Sequence, residues 1–291
     1  EKFSSSSDTS QGRRVFWGRV AAGSVKPGQA ITVLPSGQSA TVAQVLDHAR
    51  RPGDIEAGHS AGIVLDREVD VSRGDWLVAP HLHAPTKRLD LHVRTAGDRD
   101  LRHARGVQVH LGSGHAQARV LTATAKDIAA GNEGFAYLTL DRPVAALSGD
   151  RAILRDDATG RVVAGGTVVD PFPPARRVAR DRRIAALQAW RRDDVDAVLD
   201  ELLAVEGWVD LGRFRIARNL DSVEGLGRGQ RIGRADRPVL VSAETAAAVA
   251  GALVGAIGAW HERHPELPGL AKAALLTAAK TWPADIVEAE L

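Results

Sequence analysis

Leu89-Asp90-Leu91-His92-Val93-Arg94 alternates apolar and polar residues one by one, and Val107-Gln108-Val109-His110-Leu111 repeats the pattern. A period of two puts every second side chain on one face, so each run reads as a strand with one face in a core and the other in water. Ala118 to Leu121, Phe135 to Leu140, Ala152 to Leu154 and Val162 to Val169 continue the series. Towards the amino terminus, Val15-Phe16-Trp17, Ile31-Thr32-Val33-Leu34, Ala40 to Leu46, Ala61 to Leu65 and Trp76 to Ala79 are short β-type runs separated by Gly and Pro turns. Strands at such spacing predict small closed barrels. The two-proline segment from Ala79 to Pro85 divides the runs into two β units, 1–80 and 81–174.

Past Pro171-Phe172-Pro173-Pro174 the period changes. Val195, Val198, Leu199, Leu202 and Leu203 recur at helical spacing behind Asp193 and Asp194, which suit an amino-terminal cap. A shorter helix is expected over Gly212 to Asn219, then a Gly- and Arg-rich wing from Gly225 to Arg237, the β-like Pro238 to Val241, and a long Ala-rich helix from about Ala243 to Arg263. This order predicts a winged-helix module over 175–245. The remainder, 246–291, reads as the long helix and the start of a second, incomplete module, with Leu270 to Lys280 amphipathic. The fold class expected is mainly β followed by α.

Composition narrows the chemistry. The 291 residues carry a formal net charge of only +2, but their arginines are clustered, so local fields outweigh the total. Cysteine is absent, which removes disulfides, thiolate metal sites and cysteine nucleophiles. No Gly-x-x-x-x-Gly-Lys-Ser/Thr loop, no Asn-Lys-x-Asp motif and no Gly-x-Ser-x-Gly elbow occurs, so no catalytic residue is assigned and GTP hydrolysis has no site in this polypeptide. His81, His83, His103, His110 and His115 fall in a linker and on alternating strands, and His261 and His264 bracket a helix end. No metal site is expected from them. No run approaches 18 apolar residues and Glu1 to Gln11 lacks a signal-peptide pattern, so neither a membrane nor export is indicated and a cytoplasmic protein is expected. The chain starts with Glu and has no Met, so it is expected to be a fragment or a processed chain.

Arg176, Arg177, Arg180, Arg182 and Arg183 put five cations in eight residues, enough to neutralise several phosphates of an RNA backbone. The alternative is a solvated hinge whose arginines pair with Asp193, Asp194 and their neighbours. Arg228, Arg231, Arg234 and Arg237 form a second basic group in the wing, readable as an RNA contact or as a soluble loop.

Gly18-Arg19-Val20-Ala21-Ala22-Gly23-Ser24-Val25-Lys26-Pro27-Gly28, Leu34-Pro35-Ser36-Gly37 and Ser72-Arg73-Gly74-Asp75 resemble the second domain of elongation-factor GTPases, in a form that the GTP-binding subunit of sulfate adenylyltransferase shares. Leu82-His83-Ala84-Pro85-Thr86, His110-Leu111-Gly112-Ser113-Gly114, Gly149-Asp150-Arg151-Ala152-Ile153-Leu154-Arg155 and Gly165 to Pro171 resemble the third domain of the selenocysteine-specific elongation factor. Glu206-Gly207-Trp208-Val209-Asp210, Ala217-Arg218-Asn219-Leu220 and Trp260-His261-Glu262-Arg263-His264-Pro265 are similar to its winged-helix extension, which the adenylyltransferase subunit lacks.

The resemblance implies domains that follow a GTPase domain: a first barrel holding the aminoacyl end of selenocysteyl-tRNA, a second touching tRNA, and ribosome-facing surfaces. GTP and magnesium would be cofactors of the missing GTPase domain only. Binding of the messenger hairpin would be lost with the last winged helices. In the aminoacyl-end pocket the resemblance implies basic side chains around the selenol; Thr9 and Ser60 stand where arginine is usual, leaving Arg13, Arg14, Arg19 and His59 as substitutes. The competing expectations are adenylyltransferase barrels and a GTPase-less interaction module.

Overall fold

The computed structural model describes residues 9–10, 13–49, 51–82, 84–174, 178–234, 237–267, 269–282 and 284–289. They form two compact units, divided at Pro173 and Pro174, where consecutive prolines cannot continue a ladder of backbone hydrogen bonds.

The first unit is all β. Strands β1 (Thr9–Ser10), β2 (Arg13–Arg19), β3 (Ser24–Val25), β4 (Ala30–Leu34), β5 (Ser39–Leu46), β6 (Ile55–Glu56), β7 (Ser60–Leu65) and β8 (Trp76–Val78) make the first half. Six of them pair antiparallel in the order β1-β2-β7-β5-β4-β8, and β3 and β6 form a separate ribbon. Val25 and Ile55 of the ribbon share one core with Ile31, Val33, Val42 and Leu65 of the sheet, so sheet and ribbon enclose it together. On the other side of β2, Val15, Leu46 and Val64 form a small cluster with Trp17. Gly62 admits it, because a Cβ there would sit 2.9 Å from Val15 and 3.0 Å from the Trp17 ring.

A 3-10 turn, Pro80–Leu82, leads to β9 (Thr86–Thr95), β10 (Arg105–Leu111), β11 (Gly114–Thr122), β12 (Glu133–Val144), β13 (Arg151–Asp156) and β14 (Val162–Asp170). These close into a barrel in the order β10-β11-β12-β9-β14-β13. The alternation seen in the sequence is the barrel's inside and outside: Leu89, Leu91, Val93, Val107, Val109, Val120, Leu138 and Leu154 all point into one core. At the β9–β14 contact the backbones leave no room for a side chain, since a Cβ on Gly166 would lie 2.2 Å from the His92 carbonyl oxygen.

The second unit comprises α1 (Arg180–Trp190), α2 (Val195–Glu206), β15 (Trp208–Asp210), α3 (Leu211–Ala217), β16 (Gln230–Arg234), β17 (Arg237–Val241), α4 (Ala243–His261), α5 (Lys272–Ala278) and α6 (Ala284–Ala289). Helix, helix, short strand, helix and β-hairpin follow each other as in a winged helix, with β15-β17-β16 as its sheet. Asp194 caps α2 by accepting from Ala197 N at 2.8 Å, and Gly207 ends it in a left-handed conformation with φ 76°. Asp210 and Ser242 cap α3 and α4 in the same way. Register separates the faces of β17. Val239 and Val241 join Val249, Leu253, Leu275, Ile286 and Val287 in one core, while Leu240 meets Leu199 across Gly227 on the α2 side. The long helix and the two short ones after it thus complete the core beneath this sheet. Helix α4, with a mean hydropathy of 1.4 over 18 residues, is long and apolar enough by length and composition to cross a membrane. It escaped the apolar-run criterion because Gly, Thr, Glu and His interrupt it.

Candidate nucleic-acid interface

In the second unit the basic residues expected to face RNA have diverse surroundings. Arg176 and Arg177 lie outside the described residues. Arg180 opens α1 and is exposed. Arg182 donates to the Glu206 carbonyl at 2.6 Å and pairs with the Glu206 carboxylate at 3.4 Å. Arg183, one residue on, turns to the buried side of α1 and is only 8% exposed. The helical period explains this split, since a run of cations that looks continuous in sequence is distributed around an axis once it coils.

The wing arginines divide likewise. The backbone N–H of Arg228 donates to Asp200 Oδ1 at 2.9 Å and its guanidinium lies 3.4 Å from Asp200 Oδ2, although its side chain stays exposed. Arg231 donates to the carbonyls of Val223 and Leu226, both at 2.6 Å, and so ties the loop before the hairpin. Opposite Leu240 in register, Arg231 stands on the α2 side of the sheet. Arg234 is the register partner of Arg237 at the hairpin tip, and Arg237 shares parity with Val239 of the other core.

In the first barrel the four aminoacyl-end candidates separate into two pairs. Arg13 and Arg14 begin β2: Arg13 donates to the Leu65 carbonyl at 3.4 Å, and the Arg14 guanidinium lies 5.9 Å from the Phe16 ring centroid. Arg19 ends the same strand opposite Ser60, and His59 precedes Ser60, accepting at its carbonyl from Val20 N. The pairs are separated by roughly 15–20 Å of extended strand. Arg19 and His59 are neighbours, both exposed.

The second barrel holds a surface that motif spacing alone does not mark. On β10, β11 and β13 the inward positions are apolar except at the strand ends Arg105, Thr122 and Asp156, and the outward ones are Gly106, Gln108, His110, His115, Gln117, Arg119, Leu121, Arg151, Ile153 and Arg155. None is acidic. Register sets them in rows: Ile153, His110 and His115 across three strands, then Arg155, Gln108 and Gln117, then Gly106 and Arg119. Asp156, the last residue of β13, is turned onto Thr159, accepting from its N–H and hydroxyl at 2.8 Å. Ile153 and Leu121 are 45% and 39% exposed, unusual for large apolar side chains. The His110 and His115 rings lie 5.5 Å apart, and His110 Nε2 is 2.8 Å from Gln108 Oε1. Burial, then the Arg155 guanidinium, then His115 push the His110 pKa down, which keeps the ring neutral near pH 7. The signal was present in the outward letters of the alternating runs, where arginine, histidine and glutamine recur without a carboxylate. Among the described residues, no group of three or more His, Asp or Glu side chains is placed to hold a metal ion.

A β unit with a closed six-stranded barrel is followed by helices and a β-hairpin in winged-helix order. Residues 86–175 match the family described as the selenocysteine-specific elongation factor β-barrel domain. The chain is 26% identical over 278 residues to a selenocysteine-specific elongation factor of Desulfomicrobium baculatum, covering 90% of this chain and 44% of that protein. A crystal structure of a bacterial selenocysteine-specific elongation factor superimposes with a TM-score of 0.71 at 17% identity, covering 95% of this chain and 44% of the other. Sulfate adenylyltransferase subunit 1 of Agrobacterium fabrum is 48% identical, but over 66 residues, 23% of this chain. The corresponding subunit of Chromobacterium violaceum is 27% identical over 71% of the chain. These partial matches reach less of the chain, and the comparisons together support a selenocysteine-factor type, matched from the first barrel into the helical unit. The chain spans about half the length of these longer relatives.

Proposed function

We propose that this chain supplies tRNA- and ribosome-facing domains for selenocysteine insertion, acting by binding. The observation that carries the reading is that the outward positions of β10, β11 and β13, which hold three arginines and no acidic residue, lie within the segment matching the selenocysteine-factor barrel. Three arginines beside neutral hydrogen-bonding side chains suit a ribose-phosphate backbone. Arg180 and Arg228, both exposed, are separate candidate contacts on the helical unit, and Arg19 with His59, neighbours and both exposed, is the pair proposed for an aminoacyl end. GTP and magnesium belong to a GTPase domain, whose motifs these 291 residues lack. Messenger-hairpin recognition falls to winged helices other than those present, and the setting is the cytoplasm.

The test is equilibrium binding of fluorescent selenocysteine tRNA and of an elongator tRNA to the chain at fixed salt. Tighter binding of the selenocysteine tRNA supports the assignment. Equal or absent binding of both, with copurification of an adenylyltransferase catalytic subunit, would transfer the barrels to sulfate activation.

A further inference from the structure

We infer that Ile153, His110 and His115 form a stacking platform for an unpaired nucleobase, so that the wall of β10, β11 and β13 takes single-stranded RNA and not a closed duplex. The inference rests on the RNA contact proposed above and narrows it to one class of RNA. His110 is the register partner of both His115 and Ile153, so the three side chains stand in one row across adjacent strands. Neighbouring strands lie about 4.8 Å apart, which makes the row a continuous floor. The two imidazole rings are 5.5 Å apart at an interplanar angle of 30°. His115 is exposed, and Arg142 holds its backbone by donating to the His115 carbonyl.

A single exposed isoleucine means little by itself. Here its neighbours give it a use. The partner of Ile153 on β14 is Gly165, where a Cβ would meet nothing nearer than the Ala152 carbonyl oxygen at 3.9 Å. The missing side chain leaves the flank of Ile153, 45% exposed, open to a flat group lying across it, and glycine within a strand marks such close approach. On the other flank the His110 ring is hydrogen-bonded to Gln108 at 2.8 Å. Burial, Arg155 and His115 hold it towards the neutral form, and an uncharged ring offers a face for stacking.

Cations flank this floor where the backbone of a strand would run. Arg151 and Arg155 lie two residues before and after Ile153, both exposed on the same side of β13 and roughly 13 Å apart along it. Past Gly165 the row continues to Arg94, whose guanidinium lies 3.8 Å from Glu133. Aromatic and apolar side chains under the base, with basic ones along the backbone, are the means by which sheets and barrels hold unpaired strands. A duplex keeps its bases stacked inside and would set only sugar and phosphate against Ile153.

The test is the affinity of the full chain for a fluorescein-labelled oligouridylate, free and annealed to oligoadenylate, by anisotropy at fixed salt. Electrostatics alone favours the duplex, whose denser phosphates condense more counterions. The platform predicts tighter binding of the free strand, weakened about five-fold or more by Ile153→Ser and by His115→Ala, and retained by His115→Phe, which keeps a ring. Ile153→Ser removes no charge, so its salt slope should match the parent's. Both positions are exposed, and far-UV dichroism of the variants should be unchanged. Equal or tighter binding of the duplex, binding of neither form, or unchanged affinity in both Ile153→Ser and His115→Ala would overturn the platform. Such a failure is separable from failure of the proposed function, which the comparison of selenocysteine tRNA with elongator tRNA decides, because a tRNA can be held through its paired stems.

Discussion

His110 shows how one side chain couples fold and surface. It is held on the outside of the second barrel against Gln108 and beside Arg155 and His115, and its pKa lies below the usual 6.5. A histidine that binds its proton less readily in the folded state than in the unfolded one contributes stability above the unfolded pKa and loses it as pH falls through the folded value. Thermal stability should therefore decline as pH drops from about 6.5. His110→Gln keeps a hydrogen-bonding side chain, removes the titration, and should flatten that decline in melting curves between about pH 7 and pH 5. An identical decline in the variant would place the acid sensitivity elsewhere. At the same scale, Arg218 shows why a basic residue need not be a nucleic-acid contact. Its guanidinium lies 5.4 Å from the Trp190 ring and donates to the carbonyls of Trp190 and Arg192, joining α3 to the end of α1.

Helix α4 sets the behaviour of the second unit at the scale of elements. Leu253 is 4% exposed in the core that α4, α5 and α6 share with β17. Leu253→Ala should cost about 2–5 kcal/mol, the range for buried leucines that leave a cavity, measurable by denaturant unfolding of the helical unit. A loss below about 1 kcal/mol would mean that this layer collapses around the gap. The helices with a period-3.6 apolar stripe, α2 and α4, were legible from sequence to within about two residues, as were β10, β13 and β14 of the closed barrel, while β9, β11 and β12 extend further beyond the runs that marked them. Helix α1 was not, because its run of arginines reads as a charged tract until Arg183, Ala186, Leu187 and Trp190 are seen to bury one side. Helix α6 was too short to show a period. The basic groups were legible as composition but not as surfaces: the ion pairs with Glu206 and Asp200 join residues far apart in sequence, and the Arg231 bonds to the Val223 and Leu226 carbonyls depend on the shape of the loop before the hairpin. The face on β10, β11 and β13 could have been found by writing out the alternate residues of each run, since a strand's outward letters are fixed by its parity.

Over the whole molecule, a net charge of +2 is too small to draw RNA by itself, so any affinity must come from where the cations sit. Three of them, Arg119, Arg151 and Arg155, stand among the outward positions of one barrel wall, where the nearest carboxylate beside Gly106 is that of Asp157, just past β13. Surface arginines of this kind contribute little to stability, so their removal should leave the fold intact. The most direct test is the salt dependence of selenocysteine-tRNA binding by the chain and by the Arg119→Ala, Arg151→Ala, Arg155→Ala triple variant. If the wall meets phosphates, the slope of log K against log salt should become shallower by about 2–3, near one for each phosphate no longer neutralised. An unchanged slope, with the variant still folded, would contradict a phosphate-binding wall.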